Sequence, residues 1–110
     1  MLPKITEKPW GCEVLLVETP YVVKRLVINR GHRISLQYHE RKHETWYVLE
    51  GQGAMTVGDE MFNYVPGKLV VIPPGTVHRI FAGKGRTVVL EVSTTELDDV
   101  VRLEEDYGRS

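Results

Sequence analysis

Cysteine is nearly absent from the sequence. Cys12 stands alone, so no internal disulfide can staple the fold. Nothing beside it looks like a base that would activate a thiol, and it reads as a small strand residue near the domain edge. A basic excess is also missing. Lysine and arginine number 14 against 15 aspartates and glutamates, a net charge of -1, which argues against nucleic acid as a main partner. No apolar run approaches the ~20 residues that a membrane helix needs, so no membrane partner is expected. The opening Met1-Leu2-Pro3-Lys4 lacks the apolar centre of a signal peptide, and the expectation is cytoplasmic residence. Linkers and low-complexity tracts are lacking as well. The 110 residues are one domain's worth, and 1–110 is expected to form a single domain.

What is present is β chemistry. Runs of β-branched and aromatic residues recur, cut at short intervals by glycine and proline. They predict strands over 13–18, 22–29, 34–39, 44–50, 53–57, 60–64, 69–72, 77–81 and 87–93. Turn signals separate them, among them Gly51-Gln52-Gly53, Gly58-Asp59, Pro73-Pro74-Gly75 and Gly83-Lys84-Gly85. Many short strands at regular spacing imply a sandwich or barrel. Only the tail from Leu97 to Tyr107 has little turn chemistry, and Leu97, Val100, Val101 and Leu103 fit a short amphipathic helix there. Several strands, such as Val22-Val23 and Val88-Val89-Leu90, are apolar on both faces. That fits a barrel wall whose outer face is covered by a second subunit or by the N-terminal arm, and a homodimer is expected.

The segment from Gly31 to Gly51 carries the candidate chemistry. Gln37 and His39 are two apart, which on a strand places them on one face. Glu44 follows at a spacing that allows a tight turn and a return strand. His78 comes just after the rigid Pro73-Pro74-Gly75 turn. Singly, each of these would read as a solvated or core side chain. Two imidazoles, a carboxylate and an amide oxygen converging in an apolar pocket are metal chemistry. The set suits one divalent ion (Zn, Co, Mn, Ni or Fe) with positions left open for substrate. Gln37 is the ambiguous member, able to bind directly, bind through water, or orient substrate.

The residues then fall into a known register. Gly31, Gln37, His39, Glu44 and Gly51, followed by Gly67, Pro73, Gly75 and His78, resemble the two motifs of the cupin superfamily. Gln37 stands where the first histidine is usual, and Ala82 where the last asparagine is. The resemblance implies an all-β double-stranded β-helix, or jelly-roll barrel, with a metal at the motif positions. A closer likeness covers nearly the whole chain. Lys8-Pro9-Trp10-Gly11, Val23-Lys24-Arg25-Leu26, Ser35-Leu36-Gln37-Tyr38-His39, Glu44-Thr45-Trp46, Ile72 to Arg79 and Arg102 to Arg109 resemble the isomerase domain of type II mannose-6-phosphate isomerases. In that family Gln is normal at the position of Gln37. An arginine is usual where this chain has Lys42, and the segment around Glu91 to Asp99 is longer.

That resemblance implies a metal-dependent interconversion of mannose 6-phosphate and fructose 6-phosphate, or a related sugar phosphate as the small-molecule substrate. The reaction needs a proton moved between adjacent carbons and cations to hold the phosphate. Lys24 shares strand parity with Leu26 and Ile28. It is either a proton shuttle or sugar contact in the barrel, or a surface lysine. Arg33, Lys42, Arg79 and Arg109 are the phosphate candidates. Glu50 reads as structural, His32 and His43 as surface residues, Trp46 as lining the pocket or core, and Trp10 as pinning the N-terminal arm. The competing readings are a sugar- or ligand-binding cupin without turnover, an Fe(II) dioxygenase, and a purely structural barrel.

Overall fold

The computed structural model describes residues 1–96 and 98–108. Their ordered elements are nine strands: β1 Lys4–Lys8, β2 Gly11–Val17, β3 Val22–Ile28, β4 Leu36–Tyr38, β5 Glu44–Val57, β6 Glu60–Tyr64, β7 Leu69–Ile72, β8 His78–Ser93 and β9 Val101–Glu104. Among the described residues, no helix is long and apolar enough to cross a membrane.

The strands form one sheet that folds over on itself, so that two halves face each other across a common core. In the first half the order is β1, β2, β3, the end of β8, the start of β5, and β7. In the second it is β9, β4, the start of β8, the end of β5, and β6. The antiparallel pair β5–β8 thus runs through both halves. This is the jelly-roll barrel that the motifs imply. Leu26, Ile28, Trp46, Val48, Ile72 and Val89 from the first half meet Ile34, Met55, Tyr64, Ile80 and Ala82 from the second in a single apolar cluster.

The sequence expectation differs from the fold at three places. The glycine triplets at 51–53 and 83–85 are not turns. They lie opposite each other inside β5 and β8, Gln52 facing Lys84 and Gly53 facing Ala82, where the register shifts. Each strand therefore reads as two in sequence but is one bent strand. The bend changes parity: β5 buries Glu44, Trp46 and Val48 before it and Met55 after it, while β8 buries His78, Ile80 and Ala82 before it and Thr87, Val89 and Glu91 after it. Even positions point inward on one side of the bend and odd positions on the other, as an extra residue in a ladder requires. Gly53 cannot be replaced here. A Cβ built on it would lie 1.9 Å from the Phe81 carbonyl oxygen.

The second difference is the tail. Instead of a helix, Val101–Glu104 form β9, antiparallel to β4. β4 would otherwise offer a bare row of backbone donors and acceptors. Pairing Val101 opposite Tyr38 and Arg102 opposite Gln37 satisfies those groups, which outweighs a weak helical pattern beginning at Leu97, a residue outside those described. The third difference is β1, whose Lys-Ile-Thr-Glu-Lys sequence is polar and nearly all exposed and so carries no burial signal. It pairs with β2 through a tight turn at Pro9-Trp10, and its charged residues blunt that edge of the sheet.

Candidate metal centre

Three segments bring the expected ligands together at one end of the barrel. β4 and the residue after it carry Gln37 and His39, β5 begins with Glu44, and β8 begins with His78. The Pro73-Pro74-Gly75 loop delivers His78, with Gly75 in the left-handed region (φ 80°) and its N–H donating to the His39 carbonyl at 2.7 Å. The backbone after His39 turns sharply into β5. There Asp99 accepts the N–H groups of Glu40, Arg41 and Lys42 at 3.2, 2.6 and 3.0 Å.

His39, Glu44 and His78 are buried, and their ligand atoms all lie within 4.8 Å of one another. Nε2 of His39 is 3.3 Å from one Glu44 oxygen and Nε2 of His78 is 3.3 Å from the other. The opposite nitrogens settle the tautomers. Nδ1 of His39 meets the Asp99 carbonyl, and Nδ1 of His78 meets the Thr76 carbonyl at 2.8 Å. A carbonyl only accepts, so each Nδ1 carries a proton, and in the neutral form of either ring the lone pair of Nε2 turns toward the carboxylate. His39 Nε2 and both Glu44 oxygens are buried without a hydrogen-bond donor. Neutral imidazole lone pairs facing an anion call for a cation among them, and Lys42, 3.4 Å from one Glu44 oxygen, reaches only one side of the carboxylate. Each imidazole nitrogen lies 3.3 Å from a Glu44 oxygen, and all the donor atoms fall within 4.8 Å of one another, a cluster small enough to share one ion. The residues fit a divalent metal.

The electrostatics agree. Burial pushes the Glu44 carboxyl up, but His39, His78 and Lys42 outweigh it and hold it at about 2. Burial pushes His78 below its ordinary range, with Glu44 opposing. Both groups are therefore deprotonated near neutrality, as ligands must be. Gln37 accepts from the Ser35 hydroxyl at 2.8 Å through Oε1 and turns Nε2 toward His78 Nε2 at 3.5 Å. A half-turn of the amide exchanges the two. The Ser35 hydroxyl would then accept, and the amide oxygen would join the cluster.

Beside the cluster lies a cavity of about 100 Å³, whose wall includes Trp10, Glu13, Lys24, Gln37, His39 and Glu91. Lys24 does share the inward face with Leu26. Its ammonium lies 2.7 Å from Glu13, and Lys8 joins at 3.5 Å. Lys42 also lines the cavity, 3.4 Å from Glu44. Arg33 and Arg79 do not line it. They sit on the outer side of the second half, Arg33 paired with Asp106 and Arg79 with Glu104 and the Ile34 carbonyl. Arg109 falls outside the described residues. Glu50 is exposed at the bend and pairs with Arg86, and His43 is exposed. His32 is partly buried, stacked on Tyr107. Trp46 is fully buried against the His78 ring, and Trp10 belongs to the core.

Two carboxylates went unread in the sequence. Glu91 is buried, takes a 3.4 Å hydrogen bond from the Trp46 indole, and has its carboxyl pushed up to about 7, first by burial and then by Glu44. Glu13 is held below its ordinary range by Lys24 against the effect of burial. The signal for Glu91 was its place in Val88-Val89-Leu90-Glu91-Val92-Ser93. A charge inside a run apolar on both faces has no solvated side to occupy.

Comparison with known proteins bears on this site. Residues 3–105 match the family described as mannose-6-phosphate isomerase C-terminal. The xanthan biosynthesis protein XanB of Xanthomonas campestris pv. campestris (strain B100) is 33% identical over 108 residues, covering 94% of this chain and 23% of XanB. The chain thus spans under a quarter of the length of that relative. Among solved structures, the capsular polysaccharide assembling protein CapF from Staphylococcus aureus superposes with a TM-score of 0.79 at 22% identity, over 93% of this chain and 32% of CapF. A cupin 2 conserved barrel domain protein from Rhodopseudomonas palustris superposes with a TM-score of 0.76 at 23% identity, over 83% of this chain and 65% of its own. The barrel is a cupin barrel.

Proposed function

Because this chain belongs to the mannose-6-phosphate isomerase C-terminal family, we propose that it holds one divalent metal on His39, Glu44 and His78, with Gln37 as a further ligand, and isomerises mannose 6-phosphate and fructose 6-phosphate or a related aldose–ketose pair. The observation that carries this reading is the pair of buried imidazoles, each 3.3 Å from an oxygen of the ionised Glu44, beside a cavity lined by Lys24, Gln37 and Glu91. When bound, such an ion polarises a carbonyl and holds the hydroxyl next to it.

The chain's own groups divide the remaining work. Burial pushes the Lys24 ammonium down, but Glu91 and Glu13 outweigh it and raise it above the ordinary lysine range. It stays charged, so it serves as a donor to a sugar oxygen and not as a base. Glu91, with a carboxyl near neutrality in the same cavity, is the group suited to take the proton from one carbon and return it to the next. Lys42 supplies a positive charge for the phosphate. Arg33 and Arg79 remain phosphate candidates only for a substrate that reaches beyond the cavity, and Arg109, outside the described residues, remains a candidate from the family resemblance. The reading includes cytoplasmic residence and a homodimer formed through the outer face of the first half, where Ile5, Tyr47, Leu49, Leu69, Val71 and Val92 are exposed. Light scattering of the purified protein tests the dimer.

Chelator-treated protein reloaded with Co, Mn or Zn and assayed on mannose 6-phosphate tests the activity. Absence of turnover with every metal, in folded protein, overturns it. One observation favours a second reading, a sugar-binding barrel without turnover. Each cation at the cavity already lies close to a carboxylate: Lys8 and Lys24 to Glu13, Lys42 to Glu44, and Arg102 to Glu105 at 3.7 Å. That arrangement suits a neutral sugar better than a phosphate. Ligand-dependent thermal stabilisation without product would establish it.

A further inference from the structure

The segment joining β8 to β9 does more than connect them. Asp99 meets the ligand-bearing turn through two different groups. Its carboxylate accepts three consecutive backbone N–H groups, those of Glu40, Arg41 and Lys42. Its own carbonyl accepts the Nδ1 proton of His39. The first set of bonds fixes where residue 99 sits relative to the turn, and the second uses that position to aim a ligand. Without the carboxylate, three N–H groups of a tight turn lose their common acceptor. The Asp99 carbonyl then has nothing to hold it against the imidazole, and His39 is free to rotate or exchange tautomer, turning its proton instead of its lone pair toward Glu44.

We propose that Asp99 is a positioning residue of the metal centre, tying the C-terminal segment to the 40–42 turn so that its carbonyl locks His39 with Nε2 facing Glu44 and His78. The proposal rests on the metal reading above. Partners of this kind on the far nitrogen of a ligating histidine typically change metal affinity by about 10- to 100-fold. Linkage makes the effect reciprocal: what the tether gives to metal binding, bound metal returns to the tether. Cobalt or zinc binding should therefore slow amide exchange at Glu40, Arg41 and Lys42.

The experiment compares wild type with Asp99→Ala, Asp99→Asn and Asp106→Ala, which removes a different anchor of the same tail, the Arg33 pair. Calorimetric titration with Co or Zn should show ~10- to 100-fold weaker binding for Asp99→Ala, partial recovery in Asp99→Asn, which keeps one acceptor oxygen, and no change in Asp106→Ala. The Co(II) absorption spectrum should change in the Asp99 variants only. Should Asp99→Ala not fold, Asp99→Asn against wild type decides. Equal affinities within about twofold, or an equal loss in Asp106→Ala, overturn the proposal. Nitrogen-15 shifts of the metal-free imidazoles separate the two readings. If wild type binds no metal, the metal reading fails. Asp99 is then judged by whether His39 loses its Nδ1–H tautomer in Asp99→Ala, and retention of that tautomer overturns the proposal.

Discussion

The open and the closed end of the barrel are made by the same two strands, β5 and β8, and are opposite in character. At the closed end the strands bend through Gly51, Gly53, Gly83 and Gly85. Charged groups there, such as Glu50 and Arg86, are exposed, and the buried hydroxyls of Tyr64 and Thr87 are satisfied within the protein. The Tyr64 hydroxyl donates to the Phe81 carbonyl at 2.8 Å and lies 2.6 Å from the Thr87 hydroxyl. At the open end both termini of β8 and the start of β5 converge. Their inward residues include His78, Glu91 and Glu44, with Lys42 and His39 beside them, all buried. Burying that many ionisable groups costs stability unless each is paired, and several lack donors. The difference indicates that the closed end supplies cohesion and the open end spends some of it on a cluster of buried ionisable groups.

Breaking the open end should give the largest effect on binding and little on fold. His78→Ala removes a fully buried member of the cluster and, on the proposed metal reading, should weaken Co or Zn binding by more than roughly 100-fold, read by calorimetry and metal content, with the β-sheet circular dichroism retained. Breaking the closed end should do the reverse. Gly53→Ala forces a Cβ to 1.9 Å from a backbone oxygen and should cost about 3 kcal/mol or more by denaturant unfolding, while the molecules that remain folded bind metal normally.

A subtler test uses pH. The Glu91 carboxyl is pushed from 4.5 to about 7 by burial and then by Glu44. The folded state holds that proton more tightly than the unfolded chain. Its contribution is therefore fully present below about pH 4.5 and lost as pH rises through 7. In metal-free protein Glu91→Gln should flatten that decline, gaining on the order of 1–3 kcal/mol over wild type above pH 7. A pH profile of the unfolding midpoint, unchanged by the substitution, would contradict this. The smallest effect is expected for Tyr64→Phe. Loss of its hydrogen bonds should cost ~1 kcal/mol with no change in metal affinity, and a change would mean that the two ends communicate.

The barrel and the cluster of His39, Glu44 and His78 were legible in the sequence because both depend on short-range order. Strand alternation places Gln37 beside His39, and a proline-glycine turn announces His78. What escaped depends on pairing across the fold. Gly51-Gln52-Gly53 and Gly83-Lys84-Gly85 look like turns when read singly. Only their mutual register, Gln52 opposite Lys84, makes them one bend. The tail looked helical because its apolar spacing does not reveal that β4 needs an edge partner. Asp99 carries no local mark of its role, and Glu91 only its place in an apolar run. Glu91 acquires its role from Trp46 and Asp99 from the 40–42 turn, about 45 and 57–59 positions away.

The parity change at the bend has a consequence for how such a chain can vary in length. One residue added or removed at the glycines would exchange inside for outside over half of β5 or β8, turning Met55 or Glu91 toward solvent. At the open end, where the Pro73-Pro74-Gly75 loop, the 40–42 turn and Asp99 meet, an added residue displaces a loop and leaves every strand's inward set alone. Length can therefore vary in the loops between strands, those around the mouth included, but not at the bend, so a barrel of this design can reshape what it binds while β5 and β8 stay fixed in length.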